Sequence, residues 1–136
     1  MRLSSFVKFV LLLFAFPILT FGSEKEKVID FVSTYQKIVK NKDSKEFKEL
    51  YSPILLKVKA KDFAQKKIVA EQDLASRPAV ILAYVEKDNK IFFKWASRDE
   101  KVSVEMLPWV VLEKGGQYGF LIISESTDWG PESRDR

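Results

Sequence analysis

The apolar residues of this chain change period at Pro78, and that change restricts the fold more than any other feature. Before Pro78 they recur every three or four residues. Val28, Phe31, Val32, Tyr35, Ile38 and Val39 line one side of a first helix. Ser23, with Glu26 three residues on, has the form of a capping box at its start. Asn41-Lys42-Asp43 ends it. Asp43 then caps a short second helix, with Glu46 in its first turn and Phe47, Leu50 and Tyr51 on its apolar side. Pro53 closes that helix.

In 54–61, Leu56, Val58 and Ala60 alternate with Lys57, Lys59 and Lys61, the pattern of a half-buried strand. Residues 62–76 fit a helix through Phe63, Ala70 and Leu74, or a strand that starts at Ile68. After Pro78 alternation takes over. The stretches 79–86 and 90–97 read as a hairpin across Lys87-Asp88-Asn89. A third strand is expected over 102–113, with Pro108 marking an edge or a bulge. Gly115-Gly116 suits a two-residue turn, and 117–124 is the last strand. Helices first and an antiparallel meander last predict an α+β domain, with N-terminal helices packed on a curved antiparallel sheet.

The start of the chain carries a different signal. Arg2 and Lys8 precede an unbroken apolar run over 9–19, and Thr20-Phe21-Gly22 follows. The run falls short of the roughly 20 apolar residues a bilayer-spanning helix needs. It matches a secretory signal peptide cleaved after Gly22 or one residue later. The expected organisation is a signal peptide over 1–22, a single α+β domain over 23–124 and a polar C-terminal tail over 125–136. The expected address is exported, periplasmic or secreted, with no membrane span after cleavage. The chain has no cysteine, so neither a lipid anchor nor a disulfide framework is available. A Lys-rich, cysteine-free exported domain fits a bacterial envelope.

The chain also has no histidine. Ser-His-Asp and Cys-His catalysis, His/Cys zinc sites and His-ligated haem are therefore excluded. Acid–base work falls to Asp, Glu, Tyr or Lys. Arg2 and Lys8 account for half of the formal +4 charge, so the domain lacks the basic bias of a nucleic-acid binder. No metal site, cofactor or set of catalytic residues is expected.

The order helix, short helix, strand and long meander resembles the nuclear-transport-factor-2-like superfamily, a cone-shaped α+β fold. The residues that carry the likeness are Tyr35 on the first helix, Asn41 and Asp43 at its turn, Phe47 to Tyr51 with Pro53, and a closing hairpin from Trp109 to Ile122. The likeness implies a pocket between sheet and helices more than a reaction, because the superfamily holds both isomerases and non-catalytic domains. Tyr35 matches the oxyanion donor of the ketosteroid isomerases. Lys57 and Lys59 stand where their carboxylate base would be, and Asp62 is out of register. The likeness therefore implies a non-catalytic member.

The candidate ligand pocket comprises Tyr35, Phe93, Trp95, Trp109, Tyr118 and Phe120. Each has a plainer role in core packing, because aromatic rings dominate core burial in any fold. Lys57, Lys59, Lys61, Lys66 and Lys67 read as a solvated basic face, and Glu71, Asp73, Glu86, Asp88, Asp99 and Glu100 as surface carboxylates. The expected function is a small exported binding domain with an apolar pocket or sheet face. Its partner is a small apolar ligand or a protein. The alternatives are an envelope interaction module, homodimeric in one version, and an isomerase- or dehydratase-type enzyme using Tyr35 and a carboxylate.

Overall fold

The computed structural model describes residues 16–133, with side chains from Glu24 onward. The charged start and much of the apolar run lie outside the described residues. Helix α1 spans Phe16–Lys40. It runs through the expected cleavage junction, so Ser23 is not its cap in the uncleaved chain. Among the described residues, no helix is long and apolar enough to cross a membrane. The chain divides into two units, and the unit beginning at Phe31 carries the sheet.

The apolar stripe on α1 is buried as its spacing predicts: Val28, Phe31, Val32, Tyr35, Ile38 and Val39 are at most 7% exposed. Helix α2, Ser44–Lys48, starts where expected, because the Asp43 side chain accepts from the Glu46 N–H at 3.1 Å.

The strand expected over 54–61 does not form, and helix α3, Pro53–Lys57, stands in its place. The cause is local. Ser52 Oγ accepts from the Leu55 N–H at 3.1 Å, and Pro53 occupies the first turn, where its missing N–H has no intrahelical partner to lose. This capping outweighs three alternating lysines. Residues 62–76 are also helical. Helix α4, Phe63–Ala70, buries Ala64 and Ile68, and the short helix α5, Gln72–Ala75, follows.

The four strands are β1 Ala79–Lys87, β2 Lys90–Ser97, β3 Trp109–Lys114 and β4 Phe120–Ser126. They pair antiparallel in the order β1-β2-β3-β4. The fold is α+β, with the helices N-terminal to the strands. Asp88 and Asn89 both adopt positive φ, which suits the tight β1–β2 turn. The third strand is shorter than expected. A single 3-10 turn, Val104–Met106, precedes it, and Pro108 stands outside the ladder. The final turn runs from Gly115 to Gly119, whose backbone groups bond at 3.1 Å, so it is longer than a two-residue hairpin.

Strand β2 is buried almost throughout, because both faces of the sheet are covered. On the inner face, Phe31 meets Phe120 edge-on at 5.9 Å and Tyr35 meets Trp95 at 5.8 Å. Phe47, Tyr51 and Phe63 form an aromatic cluster beside them. On the outer face, Phe92 meets Trp109 at 6.5 Å and Trp129 at 5.9 Å. The segment expected to be a polar tail therefore contributes Glu125 and Ser126 to β4 and Trp129 to the outer layer. The β4 edge is covered by the chain between α2 and α3, where Ile122 N–H donates to Leu50 at 2.8 Å and Ser52 N–H donates to Ile122 at 2.9 Å. Strand β1 is the other edge, and none of its residues is fully buried.

Candidate functional site: a cleft floored by a tyrosine–glutamate–lysine network

Five polar side chains from four parts of the fold converge on the inner face. Tyr35 comes from α1, and Tyr51 from the segment after α2. Lys67 lies on α4, Glu71 ends that helix, and Glu125 lies on β4. Tyr35 donates its hydroxyl to Glu71 Oε1 at 2.7 Å, and Tyr51 donates to Glu125 Oε1 at 2.9 Å. Lys67 Nζ joins the two halves, 3.0 Å from Glu71 Oε2 and 3.4 Å from Glu125 Oε1. The result is one chain, Tyr35–Glu71–Lys67–Glu125–Tyr51. Glu125 Oε1 takes both of the contacts to that residue, and Oε2 takes neither.

Two backbone features aim these groups. On α4, Lys67 and Glu71 are four residues apart and share a face, which makes their ion pair local. On β4, the register against β3 shifts between Val111 and Leu112, so Leu112 opposes Ile122 while Val110 opposes Glu125. Val110 and Leu112 share the inner face, so the bulge in β4 turns Glu125 inward beside Ile122.

Burial dominates the electrostatics. It pushes the Tyr35 hydroxyl well above the ordinary phenol range, and the nearby Glu125 and Glu71 carboxylates push the same way. Tyr51 is raised chiefly by burial and then by Glu125. Both phenols are therefore hydrogen-bond donors across the physiological range. Burial opposes the charge on Lys67, but Glu125 and Glu71 outweigh it and hold the ammonium above its ordinary value. The Glu125 carboxyl is raised by burial against the pull of Lys67 and Tyr51.

Above this network lies a cleft of about 170 Å³. Its polar lining is Tyr35, Lys67, Glu71, Glu125 and, at the rim, Glu100. Its apolar wall is Trp95 with Leu74, Leu107, Pro108 and Val110. A small void of about 10 Å³ lies against the inner core, between Phe31, Phe93, Trp95 and Ile122. A half-buried aromatic wall over a few convergent polar groups is the make-up of a small-molecule site.

The residues picked from sequence divide into two groups. Tyr35 and Trp95 line the cleft, and Phe93 lines the void. Trp109, Tyr118 and Phe120 do not join them. Trp109 lies on the outer face. Tyr118 sits at the β3–β4 turn and donates to Glu46, which pushes its pKa up to about 12. Phe120 is buried against Phe31.

Sequence reasoning missed the charged half of the site. Glu71 and Glu100 had the look of surface carboxylates, Lys67 that of a solvated lysine, and Glu125 fell in the expected tail. The base position sought at Lys57 and Lys59 lies at the end of α3 and just beyond it, outside the cleft lining. One signal was available. Lys67 and Glu71 have i,i+4 spacing beside the buried positions Ala64 and Ile68, which places the pair at the margin of a packed helix face. Among the described residues, no group of His, Cys, Asp or Glu forms a metal centre. Searches against protein-family models, curated proteins and solved structures find no match to this chain.

Proposed function

We propose that this chain is an exported binding domain that holds a small amphipathic ligand in the cleft beneath Trp95. The observation that supports this reading is one cavity combining an aromatic wall with a floor of Tyr35, Glu71, Lys67 and Glu125, the last held by Tyr51. Its volume is about 170 Å³, and a dry cavity of roughly 150 Å³ admits benzene. The ligand body is therefore about the size of one aromatic ring, and its polar end meets the floor. Membership of the nuclear-transport-factor-2-like superfamily is part of the same proposal. It is supported by the helices-then-meander order and by a first-helix tyrosine in the cleft.

Benzyl alcohol is a suitable neutral probe. It should bind saturably and change tryptophan emission, and Trp95→Ala should weaken it by about tenfold, as expected for loss of an aromatic contact. Trp109→Ala should leave its affinity unchanged. Failure to bind, or equal weakening by both substitutions, would overturn the proposal.

A second reading, an isomerase- or dehydratase-type enzyme, draws support from the same floor. Tyr35 lies 2.7 Å from a carboxylate, and a second carboxylate, Glu125, lines the cleft. In that reading Glu125 moves a proton and Tyr35 donates to the developing oxyanion. Isomerisation of a small β,γ-unsaturated ketone, lost in both Tyr35→Phe and Glu125→Gln, is the result that reading requires. An interaction module on the outer sheet face has less support, because Trp129 and Gly130 pack over Phe92 and Trp109.

A further inference from the structure

The ionisable groups lining the cleft are unbalanced. Three are carboxylates, Glu71, Glu100 and Glu125, and one is an ammonium, Lys67. Lys67 is already engaged by Glu71 and Glu125, at 3.0 and 3.4 Å, so an incoming anion would compete with two protein carboxylates for one cation. Glu100 is exposed at the rim, where it accepts only long bonds, 3.3 Å, from the Ser97 N–H and hydroxyl. Trp95 presents a half-buried indole to the same space, and an indole face attracts organic cations.

We infer that the cleft selects an organic cation, an ionised amine on an aromatic-sized apolar body, over a neutral or anionic molecule of the same shape. This rests on the binding reading above and adds the charge class of the ligand. The amine has two acceptors within reach of the apolar wall, the Glu125 oxygen outside the Lys67–Tyr51 contacts and the rim carboxylate of Glu100. A negative field in a low-dielectric cleft also repels anions before they dock.

Three matched probes test it on the full chain by calorimetric titration at neutral pH: benzylammonium, benzyl alcohol and benzoate. Benzylammonium should bind about tenfold more tightly than benzyl alcohol, in keeping with one cation–π contact plus one partly screened charge contact. Benzoate should bind more weakly than either. Glu100→Gln and Glu71→Gln should each narrow the benzylammonium-to-alcohol ratio by about threefold, as removal of one partly exposed charge does. Glu100 lies at the exposed rim, so its variant keeps the test independent of folding. Equal binding of benzylammonium and benzyl alcohol would overturn the cation inference and leave the cleft reading standing. Tighter binding of benzoate would overturn it in favour of Lys67 as the selecting group. Absence of binding by all three would overturn both readings.

Discussion

The two faces of the sheet solve the same burial problem differently. The outer face is closely packed around Trp109 and opens at its margin into a space of about 210 Å³ between Phe92, Trp129 and the β1–β2 turn. Phe92, Trp109 and Trp129 pack edge to face, and the segment after β4 lies over part of them. The fit is tight enough that a Cβ on Gly130 would stand 2.5 Å from the Trp109 indole nitrogen. The charge in that layer, Lys94, is met by the Val104 carbonyl at 2.9 Å and lies 4.9 Å over the Trp109 ring. The inner face is left incomplete. Trp95, next to Lys94 in the chain, borders open space floored by two carboxylates that share one ammonium. A closely packed aromatic layer stabilises, and an aromatic wall over converging polar side chains has the make-up of a small-molecule site.

The largest expected effect separates the two faces by stability. Trp109→Ala removes the ring on which Phe92, Lys94 and Gly130 rest, and should cost roughly 3 kcal/mol, as large-to-small changes in packed layers do. Trp95→Ala opens a ring that already borders a cavity, and should cost roughly half as much, because less packing is lost. Denaturant melts of the two variants check this. If Trp95→Ala proved the more damaging, the inner face would be the better packed and the comparison would fail.

A middle-sized effect is expected at the floor. Lys67→Met removes the shared counter-charge of Glu71 and Glu125. It should cost about 2 kcal/mol, less than the full penalty for a deeply buried ion pair, because these side chains keep 14–24% of their exposure. An unchanged denaturation midpoint would show that water screens the network completely.

These contrasts were only partly legible in the sequence. The α1 stripe could be read because every third or fourth apolar residue meets the core. The hairpin at Asp88-Asn89 could be read because both residues tolerate positive φ. Glu125 was hidden by the bulge in β4. Strict alternation from Phe120 sends Ser124 inward and Glu125 outward, and one extra residue reverses that. The side taken by Trp109 was hidden for a related reason. A strand buried on both faces shows no polar alternation to mark inside from outside, and β3 buries Val110, Val111 and Leu112 in succession. Lysine alternation over 54–61 misled because a Ser-Pro helix start acts locally and alternation needs a neighbouring strand.

The smallest expected effect is in the pH dependence of stability. Burial raises the Glu125 carboxyl in the folded state, so the protonated form favours folding. That contribution is fully present below the ordinary carboxylate range and is lost as pH rises through the Glu125 titration. The melting temperature of the natural chain minus that of Glu125→Gln should therefore be highest in acid and fall towards neutral pH. A difference that rose with pH would mean that Lys67 and Tyr51 outweigh burial at this site.

The proposed ligand site lies on the inner face and not the outer. The chain has three tryptophans, one on the inner face and two on the outer, so their indole N–H resonances report on the two faces separately. Titrating benzylammonium into the uniformly ¹⁵N-labelled protein should move the Trp95 indole signal saturably and leave those of Trp109 and Trp129 in place. Movement of the Trp109 and Trp129 signals with Trp95 unchanged would contradict the account.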